Sequence, residues 1–285
     1  MISINTNISS LIAQNSLRNS TSKLNNAIEQ MTTGYKINHA KDNAANYSIA
    51  VDMSTKIGAY EVAEENCAMA LDLVNTANEA LGLIADKITR IWTLKEQYEN
   101  GTFGADSKKS LNNEAFLIGK EIERIRNNTE YNGKALFCYY DPSNSDAYIT
   151  PTFNFQIGID NSNSSKITVA TSNEIVDFIA TAVSYNTESI KDIYLETFDF
   201  DILNQMVPIV TTKQTELGAV QNRLESALDA ISTQRENLIS SRSTLKDADV
   251  AEVSSEYIKH QILQQASATL LATANQSPAL ALQLL

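Results

Sequence analysis

Apolar residues recur at three- and four-residue steps along most of the chain. Near the start, Leu17, Thr21, Leu24, Ile28 and Met31 alternate four and three, the pattern of a helical seam. Thr32–Asn38 follows, where Gly34 and two β-branched threonines mark a break. The longest pattern comes next: Met53, Ile57, Tyr60, Glu64, Cys67, Leu71, Val74, Asn78, Leu81, Ala85, Ile88 and Trp92 keep the same alternation. A second row, Ala63, Ala70, Ala77, Ile84 and Ile91, runs beside it, so this helix should pack against more than one neighbour. Gly101 and Gly104 break it, and Asp106 or Ser107 is placed to cap a further helix with the seam Leu111, Ala115, Ile118, Ile122 and Ile125.

The second half supplies partners. Val210, Leu217, Leu224, Ile231, Leu238 and Leu245 stand every seven residues, with Met206, Val220 and Ala227 in companion positions. Val250, Val253, Tyr257, Ile258, Ile262, Ala266, Leu270 and Ala274 then form a last stripe, which Leu263 and Leu271 widen beyond the face a surface helix buries. The pattern predicts a mainly α fold: an elongated antiparallel helical bundle or coiled coil built from both chain ends. The middle differs, with Phe153–Asp160 and Lys166–Ser172 alternating like two strands around a polar turn, so a small β-hairpin-containing region should interrupt the helices.

Composition narrows the function. Nine glycines and four prolines in 285 residues leave few turns, which argues against an all-β architecture. The net charge of −12 speaks against nucleic acid as a partner, since phosphates need Lys and Arg. Residues 1–17 and 261–285 carry no Asp, Glu, Lys or Arg at all. Neutral amphipathic ends of this kind are marginal as solitary helices and need other helices to pack on. No secretory-signal pattern is visible, and no apolar run is long enough for a membrane span.

Candidate chemistry is thin. Cys67 falls inside a helical seam, and with Cys138 allows either two inert thiols or one bridge. His39 and His260 lie on unrelated segments without zinc-site spacing. Asp160–Ser165 faintly resembles a calcium loop but has Ser165 where a glycine belongs, and Gly133–Lys134 lacks the glycine-rich lead of a phosphate loop. Asn-x-Ser/Thr sequons at Asn7, Asn46, Asn127 and Asn163 are expected by chance in a chain this rich in Asn and Ser. The expectation is a non-enzyme without catalytic residues, metal or cofactor.

INTNISSLIAQNSLRNS, MTTGYKINHAKDNAANYSIA, TEYNGKALF and FNFQIGI resemble the N-terminal half of bacterial flagellins. LGAVQNRLESALDAISTQRENLISSRSTLKDADVAEVSSEYIKHQILQQASATLLATANQSPALALQLL resembles the flagellin C-terminal region nearly throughout. The likeness covers about 1–137 and 205–285. It implies a secreted, extracellular subunit of the flagellar filament, exported through the flagellar type III apparatus with a chaperone on the C-terminal segment. It implies an inner core from 1–42 and 246–285 and a shell domain over 43–245, with 138–200 as a short variable segment. The polymer core is expected at Leu17, Leu24, Ile28, Ile262, Leu263, Leu270 and Leu271. Further implied partners are other copies of the chain, hook-associated and cap proteins, and the innate flagellin Toll-like receptor. Matching TRIWTLKEQ and SLNNEAFLIGKEIERI to the family puts receptor or neighbour-subunit contacts at Arg90, Leu94 and Glu114. The family's usual Arg-x-Arg-Glu-Leu reads Arg90-Ile91-Trp92-Thr93-Leu94 here. Two rivals stay open: a hook–filament junction protein, whose ending usually departs from ANQSPALALQLL, and a soluble secreted effector using such ends for export alone.

Overall fold

The computed structural model describes residues 7–137, 139–140, 148–149, 151–170, 195 and 200–283. The periodic stretches are helices: α1 Ile8–Thr33, α2 Ala44–Glu99, α3 Ala105–Asn128, α4 Phe200–Lys246 and α5 Val250–Gln283. Local chemistry sets their ends. The Asn7 side chain accepts the Ser10 N–H at the start of α1, and Gly34, at φ 73°, takes the left-handed position that closes it. Asp249 Oδ1 accepts the Ala251 N–H to start α5. At α3 the expected side-chain cap is corrected. Gly104 is the cap residue and makes no side-chain bond, while Asp106 sits inside the first turn, where its charge complements the helix dipole.

Short antiparallel pairs follow α3. β1 (Glu130–Tyr131) and β2 (Lys134–Ala135) turn through Asn132 and Gly133, both at positive φ (50° and 72°), as a two-residue hairpin requires. β3 (Tyr139–Tyr140) pairs with β4 (Tyr148–Ile149). The predicted hairpin is present as β5 (Thr152–Gln156) and β6 (Lys166–Ala170), with Phe153 opposite Val169 and Phe155 opposite Ile167. Expectations for the stretch from 171 to 194 lie outside the described residues.

Two compact units divide the chain: residues 1–58 with 235–285, and residues 59–234. The segments expected to form an inner core, 1–42 and 246–285, fall within the first.

The second unit holds the main apolar core. α2 and α3 are antiparallel, with Arg90 meeting Glu114 and Tyr98 meeting Lys108. α4 returns along α2, with Phe200 edge-on to Trp92 at 6.0 Å and Gln214 beside Gly82. Both rows of α2 are buried: Cys67, Val74, Leu81 and Ile88 in one, Ala70, Ala77, Ile84 and Ile91 in the other. The remaining positions of the predicted first seam, among them Glu64, Leu71, Asn78, Ala85 and Trp92, are only half-buried. Contact with two helices moves the centre of the buried face between the rows. From α4, Met206, Val210, Leu217, Leu224 and Ile231 complete the core, and Ile167 and Val169 close it from β6.

Candidate assembly interface

In the first unit α1 and α5 pack antiparallel. Asn7 Nδ2 donates to the Ala274 carbonyl at 2.7 Å, Ser16 and Ser267 share a hydroxyl hydrogen bond at 3.1 Å, and Gln264 donates to Thr21 Oγ1 at 3.0 Å. The same register continues past α1. Lys36 N–H donates to the Lys246 carbonyl, Ala248 N–H donates to the Gly34 carbonyl, and the Lys246 ammonium lies 4.2 Å from the Tyr35 ring centroid. The two ends of the chain are thereby held in one alignment by backbone bonds at the turn and side-chain bonds along the helices.

What the seam contains is unusual. Its buried residues are mostly small or polar: Ala13, Ser20 and Ala27 with Leu24 on α1, and Val253, His260 and Ser267 on α5. The large apolar residues point the other way. Ile8, Leu11, Ile12, Ile28 and Met31 on α1, and Ile258, Ile262, Leu263 and Leu270 on α5, are all exposed, with Ile12 at 65% and Leu270 at 62%. This pair of helices therefore carries its apolar surface outward, the reverse of a helix pair that satisfies itself.

Of the residues expected in the polymer core, Leu24 is buried, Leu17 and Leu271 are half-buried, and Ile28, Ile262, Leu263 and Leu270 are exposed. Of the residues expected at a receptor or neighbour contact, Arg90 and Glu114 form an exposed ion pair at 2.6 Å. Leu94 is fully buried, one turn beyond Arg90 on the core side of α2, and does not reach the surface beside them.

Sequence reasoning passed over one buried cation. The Lys95 ammonium donates to the Leu195 carbonyl at 2.8 Å and pairs with Glu99, while Asn112 Oδ1 accepts the Leu195 N–H at 2.9 Å. Leu195 is itself fully buried, so both of its backbone groups are satisfied by side chains. The hydrogen bond from Lys95 holds the Glu99 carboxyl below its usual range. A lysine in a helix reads from sequence as solvated, and its spacing one turn from Glu99 marks only a helix-surface ion pair, so nothing local announced its burial.

Chemistry elsewhere is sparse. Cys67 is a free thiol, and burial pushes its pKa up, away from reactivity; Cys138 lies outside the described residues. Among the described residues, no three His, Cys, Asp or Glu side chains gather as a metal site, and no helix is long and apolar enough to cross a membrane.

Comparison with known proteins agrees with this architecture. Residues 4–140 match the bacterial flagellin N-terminal helical region, and residues 200–285 match the C-terminal helical region. The flagellin of Bacillus subtilis is 31% identical, covering 99% of both chains. That of Halalkalibacterium halodurans is 31% identical over 96% of this chain and 97% of its own. The flagellar filament 33 kDa core protein of Treponema phagedenis is 26% identical over 99% of both. Helices from both ends of the sequence, their shared register and these full-length matches lead to one conclusion: the chain belongs to the bacterial flagellin family.

Proposed function

We propose that this flagellin, a structural subunit of the flagellar filament, polymerises by burying the outward apolar faces of α1 and α5 against the terminal helices of neighbouring copies. The observation that carries this reading is the inverted amphipathicity of the pair: a small, polar internal seam and large aliphatic residues in water. Ile262 and Leu270 keep about 60% of their surface exposed, so each has roughly 1 kcal/mol or more still to gain on burial. The internal seam buries few large apolar side chains, so the pair alone gains little from burial. Association completes their ordering, and the gain from repeated interfaces covers the entropy lost. Contacts of one face with a different face on the next copy need not close, so the product is an open helical polymer.

Under this reading, 1–42 and 246–285 line the inner core, and Leu17, Leu24, Ile28, Ile262, Leu263, Leu270 and Leu271 pack there. Before assembly, the same uncharged C-terminal stripe is the surface an export chaperone would cover. The hook-associated and cap proteins meet the filament at its two ends, in the extracellular space. The exposed Arg90–Glu114 pair is the part of the second unit available to an innate Toll-like receptor or to a neighbouring subunit. Leu94 supports that surface from beneath.

Leu270→Asp tests the proposal. Placing a carboxylate on the outward face should leave a soluble, helical monomer that neither extends seeds nor forms filaments by electron microscopy. Normal filaments from this variant would remove α5 from the interface.

A further inference from the structure

A second surface feature lies in the unit formed by residues 59–234. Between the β5–β6 turn and α4 is an open cleft of about 460 Å³, a volume within the range of small-ligand sites. Its floor is apolar, with Ile167 buried and Ile157 half-buried. Its rim is cationic and amide-rich: Lys166 and Asn163 from the turn side, Asn222 and Arg223 from α4. None of the nine lining residues is acidic, in a chain with 34 carboxylates against 22 Lys and Arg.

The donors are uncommitted or pre-set. Arg223 carries no ion pair, and the Asn163 and Asn222 side-chain amides carry no hydrogen bond, among the described residues. Lys166 is oriented by Asn161, whose Oδ1 accepts from its ammonium at 2.9 Å. The turn itself is braced. Gln156 Nε2 donates to the Gly158 and Asp160 carbonyls, and the Ile157 and Gly158 N–H groups both donate to the Ser165 carbonyl. A braced turn gives the cleft a standing shape in the absence of ligand.

We infer that this cleft is a binding site for a carboxylate-bearing, polyhydroxylated ligand of monosaccharide size, that is, an acidic sugar. A guanidinium offers the planar fork that a carboxylate accepts. Two primary amides, each donor and acceptor at once, match sugar hydroxyls, which are also both. The isoleucine floor suits the C–H face of a pyranose ring. A bare sulfate would satisfy the cations and the amide N–H groups but leave the two amide oxygens without a donor, and a phosphate brings only one or two hydroxyl donors and no apolar face for the floor. The net charge of −12 disfavours anions over the surface as a whole. Retention at this cleft therefore depends on its local groups. None of the lining residues lies on α1 or α5, whose outward faces carry the proposed assembly.

Saturation-transfer NMR and calorimetry on the full-length chain provide the test, with D-glucuronate as probe and D-glucose and inorganic phosphate as comparators. Glucuronate should bind saturably and at least tenfold more tightly than either comparator. Arg223→Gln should lose at least tenfold in affinity, and Asn222→Ala should weaken glucuronate while leaving phosphate unchanged. Both positions are exposed, and unchanged circular dichroism confirms that the fold survives. Methyl β-D-glucuronide separates the sources. Equal binding assigns the site to the terminal residue of a glycan, and loss assigns it to the free sugar. No saturable binding of glucuronate, or equal binding of phosphate with equal loss of both in Arg223→Gln, overturns the assignment; the second result would mean an unspecific anion patch only.

Discussion

Single side chains here separate support from contact. Leu94 has no surface in water, so Leu94→Ala should cost about 2–5 kcal/mol through lost burial and a residual cavity. Arg90→Ala breaks an ion pair whose partners are 50% and 43% exposed, and should cost less than about 1 kcal/mol. If the outer face of α2 and α3 meets a receptor, a cell reporter should lose response in Arg90→Ala and Glu114→Ala at unchanged melting temperature. Leu94→Ala should lose response only in proportion to its lost stability. Lost response in Leu94→Ala at unchanged stability would place that side chain in the contact after all. Asp42 shows a different kind of local control. Its carboxylate accepts the backbone N–H groups of His39 at 2.9 Å and Asn38 at 3.1 Å, and the bond from His39 foremost holds its pKa below the usual value. A lowered folded-state pKa contributes stability above the unfolded value, about 3.9, and that contribution disappears as pH falls through the lower native value. Urea titrations should therefore find Asp42→Asn less stable than the parent at pH 7, with the two converging as pH drops below about 4. A constant gap across that range would show that the carboxylate's charge is irrelevant to the turn.

Helices were legible wherever seven-residue spacing persisted, because a repeat needs no knowledge of the partner. The rows at Cys67 and Ala70 in α2 and the row from Val210 to Ile231 in α4 are buried as their spacing implies. The direction of a face was less legible when the seam was built from small residues. Ser20, His260 and Ser267 are buried, while Ile258 and Ile262 on the same helices are exposed. A hydropathy pattern ranks residues by size and polarity and so points the stripe the wrong way for a pair meant to be covered by others. Lys95 was illegible for a related reason, since its burial depends on a carbonyl a hundred positions away in the chain. The hairpin through Asn132 and Gly133 was also not anticipated, although its Asn-Gly pair is a local signal that could have found it. The inverted seam has a testable consequence at the level of the α1–α5 pair. Ala13→Leu inserts bulk into a position 7% exposed, close to the Ser16–Ser267 bond, and should cost about 1–3 kcal/mol as overpacking. Ile262→Thr removes a larger hydrophobe from a position 59% exposed and should change monomer stability by no more than about 0.5 kcal/mol. Thermal melts of the monomer should thus rank the smaller residue's substitution as the worse, while seeded elongation should also fail for Ile262→Thr. The opposite ranking in the melts would mean that Ile262 faces inward in the free chain.

For the molecule as a whole, two forces act on a subunit joining a polymer. Each copy brings a net charge of −12, which opposes association and is screened by any salt. Each copy also brings uncharged ends whose apolar residues gain by leaving water, and salts excluded from protein surfaces strengthen that gain. The two can be separated by comparing sodium chloride with sodium sulfate at matched ionic strength. Screening is then equal to a first approximation, and only sulfate adds to the apolar term. The critical concentration for assembly should fall in both salts, and further in sulfate. Leu270→Ala keeps the charge unchanged but shortens a residue that is 62% exposed in the single chain. It should retain the response to chloride and lose part of the extra response to sulfate. Coincident curves for the two salts in the parent would make charge screening the controlling term, and the outward aliphatic rows of α1 and α5 would then need an explanation other than burial between copies.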